Sequence, residues 1–510
     1  MQKILMLFVV VLCGLISCDN STTQNAADSD AAIVDTDAAS EDADSMLSGD
    51  DPGESDQLLS EGDALLNEGD DLLSEGGELP DAEGFGSDES WTVRWGSDSY
   101  DVGNALALKG AEDIYVAGAT WSTLDGNTRV GLSDAVIAHW RSDGTPVWAR
   151  QFGSQNDDNA AAVAVGGNGT IYVAGWAAGP LDGSEPPLHT CGYGRHLYPC
   201  PDIFVGAWAA DGSSLWMRSW GVETAEDYGR SIAIDGAGAL YVTGDTHGSL
   251  DGNTLQRDDL CDSGYGAPPC SDIFLTKWDA AGTKLWTRQW GTGAADSGSA
   301  VTVDDAGSVY VAGNIDLHMP LNTGDLIYDA FVTKLSSDGI EQWTTRITPD
   351  GGAMTTAAVV ARNGYVYVAG TSGSLDRSSS QGGSDLFLSK IDPTDGSEIW
   401  MVQWGSALNE QAFGMTIDDA GTIFVTGHTY GVWDALVNAG GADIFLSAWS
   451  AEGVELWSKL YGDAGSETAG AVIAGPAGEL YLTGQSSPQA DKALYYDESA
   501  DILLMKRVAE

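Results

Sequence analysis

The cysteines are the residues of this chain whose spacing specifies chemistry most directly. Cys191 and Cys200 stand nine residues apart, as do Cys261 and Cys270, in the segments Cys-Gly-Tyr-Gly-Arg-His-Leu-Tyr-Pro-Cys and Cys-Asp-Ser-Gly-Tyr-Gly-Ala-Pro-Pro-Cys. Four thiols with His189 and His196 nearby could hold zinc, but zinc ribbons pair cysteines two to four residues apart. In an exported chain oxidation is the expected fate, so the spacing predicts disulfides Cys191–Cys200 and Cys261–Cys270. Each would close a ten-residue loop, worth about 2–3 kcal/mol on a chain-entropy argument. Stapled loops lose little entropy on binding, so Tyr193, His196, Tyr198 and Tyr265 are expected to form a recognition patch.

Carboxylates supply the second candidate chemistry. Asp101, Asp158, Asp227, Asp296, Glu410 and Glu467 recur at one place in successive units, with Ala353 breaking the series. Such a ring at a channel mouth could hold Ca²⁺ through oxygen ligands, or could accept bonds from neighbouring loop amides, which is the favoured reading. No other metal or cofactor is expected. A further series, Asp134, Asp202, Asp272, Asp329, Asp385, Asp443 and Asp501, is expected to accept backbone N–H bonds where a loop enters a strand.

Linear catalytic motifs are missing. The chain has no Gly-x-Ser-x-Gly elbow, no His-Glu-x-x-His, no phosphate loop with a Lys, and only 6 His, so no catalytic residue is nominated. With 76 acidic against 22 basic residues the net charge is −54, which excludes nucleic acid as a partner and disfavours anionic lipid. Basic protein surfaces and cations are permitted.

The elements that position these residues are set by a repeat. Trp91, Trp148, Trp216, Trp286, Trp343, Trp400 and Trp457 are separated by 57, 68, 70, 57, 57 and 57 residues, the mark of stacked supersecondary units. Each unit holds four strand-like runs, as in Leu285–Gly291, Ser299–Val303, Ser308–Gly313 and Asp329–Leu335. Four short strands per unit make a propeller blade. Asp143-Gly144, Asp211-Gly212, Asp338-Gly339 and Asp395-Gly396 mark tight hairpins whose Gly takes a positive φ. The chain ends on the fourth run, Asp501–Val508, with no Trp strand after it. The expected fold is therefore all-β: seven four-stranded antiparallel blades, 28 strands, with Trp91–Trp95 closing the ring on the C-terminal blade and leaving no open edge.

Whatever recurs in every unit is read as scaffold. The tryptophans pack against neighbouring strands, and Trp216, Arg218 and Trp220 share one strand face as a cation–π stack within the fold rather than a sugar platform. Whatever breaks the period is a candidate for function, and the 11 and 13 extra residues of the second and third repeats are the two cysteine-bearing inserts.

Ahead of the propeller, residues 1–18 read as a targeting segment, with Lys3 before an apolar run from Ile4 to Leu12 that is too short to span a membrane. Leu15-Ile16-Ser17-Cys18 resembles the lipobox of bacterial lipoproteins, which implies acylation of Cys18 and anchoring to an envelope membrane, at the outer membrane or cell surface rather than the periplasmic face. Residues 19–89 hold 23 acidic and no basic residues and are expected to form an extended disordered stalk. Residues 90–510 are the propeller, with repeats starting near 91, 148, 216, 286, 343, 400 and 457. It is expected to be monomeric.

The runs Leu285-Trp-Thr-Arg-Gln-Trp-Gly, Ala300-Val-Thr-Val-Asp-Asp-Ala-Gly, Val309-Tyr-Val-Ala-Gly and Asp329-Ala-Phe-Val-Thr-Lys resemble the SBBP-type β-propeller repeat of secreted and surface bacterial proteins. That resemblance implies seven blades with the Val-Thr-Val run innermost and the Trp run outermost, and implies no defined activity. The fifth unit departs from it at Thr345 and Ile347. A fainter likeness to quinoprotein propellers rests on Asp395-Gly-Ser-Glu-Ile-Trp400, but the adjacent-cysteine pair of those pockets is absent, so no quinone is expected. The function so implied is a lipid-anchored binding or adhesion scaffold for a protein or glycan; the alternative is a propeller lyase or hydrolase acting on a polysaccharide or small molecule at the channel mouth.

Overall fold

Strands form where β-branched and aromatic residues alternate, and the turns between them fall at Gly. In the computed structural model, which describes residues 90–181, 190–193, 196–256, 270–318, 327–349, 353–373, 383–433, 436–488 and 499–508, Gly144, Gly212, Gly339 and Gly396 all take positive φ, between 75° and 87°. The targeting segment, Cys18 and the acidic stalk lie outside the described residues.

The described strands build seven antiparallel blades in a closed ring. Blade 1 comprises Asp101–Lys109, Asp113–Thr120, Asp134–Arg141 and Pro146–Phe152, in order from the innermost strand outward. Blades 2 to 6 repeat this order, starting at Asp158, Asp227, Ser297, Ala353 and Glu410. Blade 7 takes Ser466–Ala474, Glu479–Ser487 and Asp501–Val508 from the C-terminus and its outer strand, Trp91–Trp95, from the N-terminus. The register runs from Trp91↔Lys506 to Trp95↔Ile502, so the ring closes as the strand count requires. Inner strands of consecutive blades touch one another and surround the axis.

Burial follows position in the blade. The third strand of blade 6, Asp443–Trp449, is buried throughout, whereas the outer strands expose residues such as Leu215 and Leu285. The core lies between blades: Leu388 of blade 5 packs in one cluster with Met415, Val425 and Phe445 of blade 6. The Trp–Arg stacks belong to this packing, with the Arg218 guanidinium 5.7 Å from the Trp216 ring centre and Arg150 5.3 Å from Trp148. At the fifth unit Thr345 does the work of Arg, donating its hydroxyl to Gly396 O as Arg218 Nε donates to Gly282 O.

Candidate functional site

One end of the ring carries the starts of the inner strands, the ends of the second strands and the loops entering the third. Asp158, Ala177 and Asp202 lie side by side in register there, so the cysteine-bearing insert of blade 2, which joins its second strand to its third, stands on this face.

The insert of blade 2 is a hairpin, Thr190–Tyr193 paired with His196–Pro199, with Tyr193 opposite His196. Cys191 and Cys200 form a disulfide across its base, their Cα atoms 5.1 Å apart. Tyr198 is brought onto blade 3, where its hydroxyl donates to Glu226 Oε1. In blade 3, Cys270 is buried and disulfide-bonded, while Cys261 and Tyr265 lie outside the described residues.

Glu226 opens a polar chain that sequence reasoning missed. Its Oε2 lies 3.4 Å from His247 Nδ1, and His247 Nε2 lies 4.0 Å from Asp245 Oδ2. Asp245 accepts from Arg230 Nε, and from Ser297 Oγ at 3.2 Å. Arg230 also lies over the Tyr228 ring at 5.6 Å, and Tyr228 meets Trp176 edge to face at 5.6 Å. His247 and Glu226 remain about one-fifth exposed, while Asp245 is buried. Arg230 reaches this place because every inner strand carries a β-bulge at the same position, between Gly229 and Ser231 in blade 3, and a bulge re-aims the extra side chain. The signal was present: position 245 is Ala119 in blade 1 and Thr371 in blade 5, a single-residue break that a search for irregular lengths passes over.

The carboxylate series does not line an open mouth. Asp101, Asp158, Asp227, Asp296, Glu410 and Glu467 are buried, each at a junction between blades. Asp101 Oδ2 accepts from Ser97 N at 2.6 Å and from Ser97 Oγ at 2.8 Å, and Ser154, Val222, Thr292, Ser406 and Asp463 present their backbone N–H groups in the same way. The reason is local: the chain leaves an outer strand, crosses to the next inner strand within a few residues, and its free amides need acceptors. Each carboxylate thus accepts a backbone N–H on one oxygen, the hydrogen-bonding role that the sequence reading favours. Among the described residues no group of three or more His, Cys, Asp or Glu is placed to share a metal ion.

The second Asp series meets the first. Asp134 accepts from Val130 N and Gly131 N, both at 2.8 Å, and Asp443 from Ala439 N at 2.7 Å. A Cβ on Gly96 would lie 2.2 Å from Asp501 Oδ1 and 2.8 Å from Asp101 Oδ2. The same arrangement surrounds Gly153, Gly221, Gly291, Gly405 and Gly462. Six of the seven junctions thus hold two carboxyls on either side of a glycine. Burial, reinforced by the neighbouring carboxyl, pushes Asp101 up to about 6 and Asp227 to about 7, and raises Asp158 and Glu410.

A match to a β-propeller repeat agrees with this architecture. The SBBP β-propeller repeat matches residues 216–251 and 285–316. Regulatory protein FlaEY of Caulobacter vibrioides is 32% identical over 212 residues, covering 38% of this chain and 21% of that protein; the chain thus spans about a fifth of the length of the curated relative it matches. Among solved structures, the Pan2 WD40 domain of Neurospora crassa superposes with a TM-score of 0.44 at 9% identity, covering 81% of this chain and 90% of that one. YCF48 bound to D1 peptide gives a TM-score of 0.41 at 8% identity, covering 86% and 100%. Two stretches of the chain match the SBBP β-propeller repeat, and its described strands close into a seven-bladed ring.

Proposed function

We infer that this propeller is a binding module whose protein or glycan ligand is taken on the insert-bearing face over blades 2 and 3. The observation that carries the reading is the bond from Tyr198 to Glu226: together with the Cys191–Cys200 bridge it holds a hairpin, at its base, onto a polar and aromatic cluster. Pre-organisation of this kind removes ordering cost from association. Anchoring through acylated Cys18, with residues 19–89 as spacer, would display that face away from an envelope membrane.

Parallel capture from envelope extracts and on a glycan array, with the full chain and with a chain lacking both inserts, tests the reading. Capture lost on deletion, with the thermal transition intact, supports it; unchanged capture overturns it. A second reading, a lyase or hydrolase at the same place, draws on His247 standing between Glu226 and Asp245, a juxtaposition suited to proton transfer. Turnover of a captured glycan that stops in His247→Ala would favour it.

A further inference from the structure

Six independent copies of one arrangement, each at a blade junction, make up the largest set of buried ionisable groups among the described residues. In each copy the distances to a glycine Cβ position place the two facing carboxyl oxygens within about 5 Å of each other, the range over which like charges disfavour each other's ionised form. At Gly291 and Gly462 the approaching atoms, Asp272 Oδ1 and Asp443 Oδ1, are buried without a hydrogen-bond partner. An acceptor in that state, opposite a second carboxyl, is poised to take a proton.

The exception follows the same logic. At the junction of blades 4 and 5 the inner acid is replaced by Ala353 and the glycine by Thr348. Asp329, with no facing carboxyl among the described residues, pairs instead with Arg346 at 3.1 Å. Acid and glycine depart together, which ties the glycine to the carboxyl pair rather than to the turn.

We propose that the six glycine-flanked carboxyl pairs are proton-binding sites that lock neighbouring blades together, so that the ring is held most firmly in mildly acid surroundings and loosens as the protons leave. The charge around the pairs is consistent with this. Asp227 is faced by Asp202 and, from the second strand, by Asp245, whose own partners are Arg230 and His247. Asp158 is faced by Asp134 and Asp157, Asp101 by Asp501, and Glu410 by Asp385. Glu467 faces Asp443 across Gly462, with Asp463 as a further acidic neighbour of both and Arg94 as the neighbouring cation, and still rises to about 7.

The sign is fixed by linkage. An Asp in the unfolded chain has a pKa of about 4, so a folded state that holds these protons to about 6 or 7 binds more protons than the unfolded chain. Stability is then fully present below about 4 and is lost as pH rises through about 7. Buried His139 and His428, with lowered pKa, act in the opposite sense below their ordinary value and are common to every variant compared.

The test is thermal unfolding of the full chain at constant ionic strength between about pH 5.5 and pH 8, for the wild type and for the variant Asp101→Asn/Asp227→Asn/Glu467→Gln. A neutral amide mimics the protonated acid. The wild-type midpoint is expected to fall by several degrees over this interval, with the variant flatter and more stable than wild type at the alkaline end. Equal slopes in the two proteins would overturn the proposal. Should the triple variant not fold, Asp202→Asn reads one junction from its other side, with the same expectations. Infrared difference spectra of the wild type between about pH 6 and pH 8 give a second readout: a protonated-carboxyl band must disappear, and its absence at the lower pH refutes the sites. Recovery of the alkaline midpoint by millimolar Ca²⁺ would show that the pairs take cations instead, and would equally overturn the proposal.

Discussion

The indole of Trp148 lies against Gly212 of the next blade, so close that a Cβ on Gly212 would fall 2.8 Å from Trp148 Cδ2. The indole N–H completes the contact by donating to Ala210 O at 3.0 Å. Gly212 is held at φ 79° as the turn residue of its own hairpin, so one glycine closes a turn and accepts the neighbour's tryptophan. Trp91 with Gly144, Trp216 with Gly282, and Trp343 with Gly396 repeat the relationship.

Gly212→Ala should therefore destabilise the propeller by about 1–3 kcal/mol, through strain at positive φ and overpacking of the indole. Gly236, whose Cβ position has nothing within 4 Å, is the control, and Gly236→Ala should fall within about 0.5 kcal/mol of wild type. Urea unfolding of both variants checks the difference.

Gly221→Ala places a Cβ 2.1 Å from Asp202 Oδ1 and 2.8 Å from Asp227 Oδ2. It should cost at least as much as Gly212→Ala, and Asp202→Ala should recover part of the loss when combined with it, by about 0.5–3 kcal/mol of coupling. Additive single and double variants in the same unfolding assay would contradict the packing described for this junction.

Reduction of the Cys191–Cys200 bridge should leave the blades folded, because the bridge spans a hairpin outside the four-stranded sheets. The expected signature is faster proteolysis within residues 190–199 at an unchanged global transition. Peptide mapping of the unreduced protein should recover residues 191 and 200 in one linked fragment.

Cys18→Ser should move the protein from the membrane to the soluble fraction of its host, since an acylated cysteine would be its anchor. Fractionation with immunoblotting gives the answer, and an unchanged membrane share would remove the lipid anchor from the proposed function.

The period of Trp91 to Trp457 made the blade number, the strand order and the closing strand legible without coordinates, because each unit must bury the same faces against the same neighbours. The carboxylates show the limit of that reasoning. Their recurrence left Asp101 and its counterparts open to Ca²⁺ or to loop amides, with amides favoured, but nothing in one repeat tells that Asp101 would meet Asp501, 400 residues away, across Gly96. Nor did spacing nominate Glu226, Asp245 or His247, which replace ordinary strand residues one at a time.

By itself the sequence determined what repetition can carry: a seven-bladed ring, its turns, its N-terminal closing strand and the position of the stapled insert. Only the tertiary structure decided which side chains meet between blades. Those encounters join residues of different repeats, and their distances depend on how one twisted sheet packs against the next, which is a property of the ring and not of any unit within it.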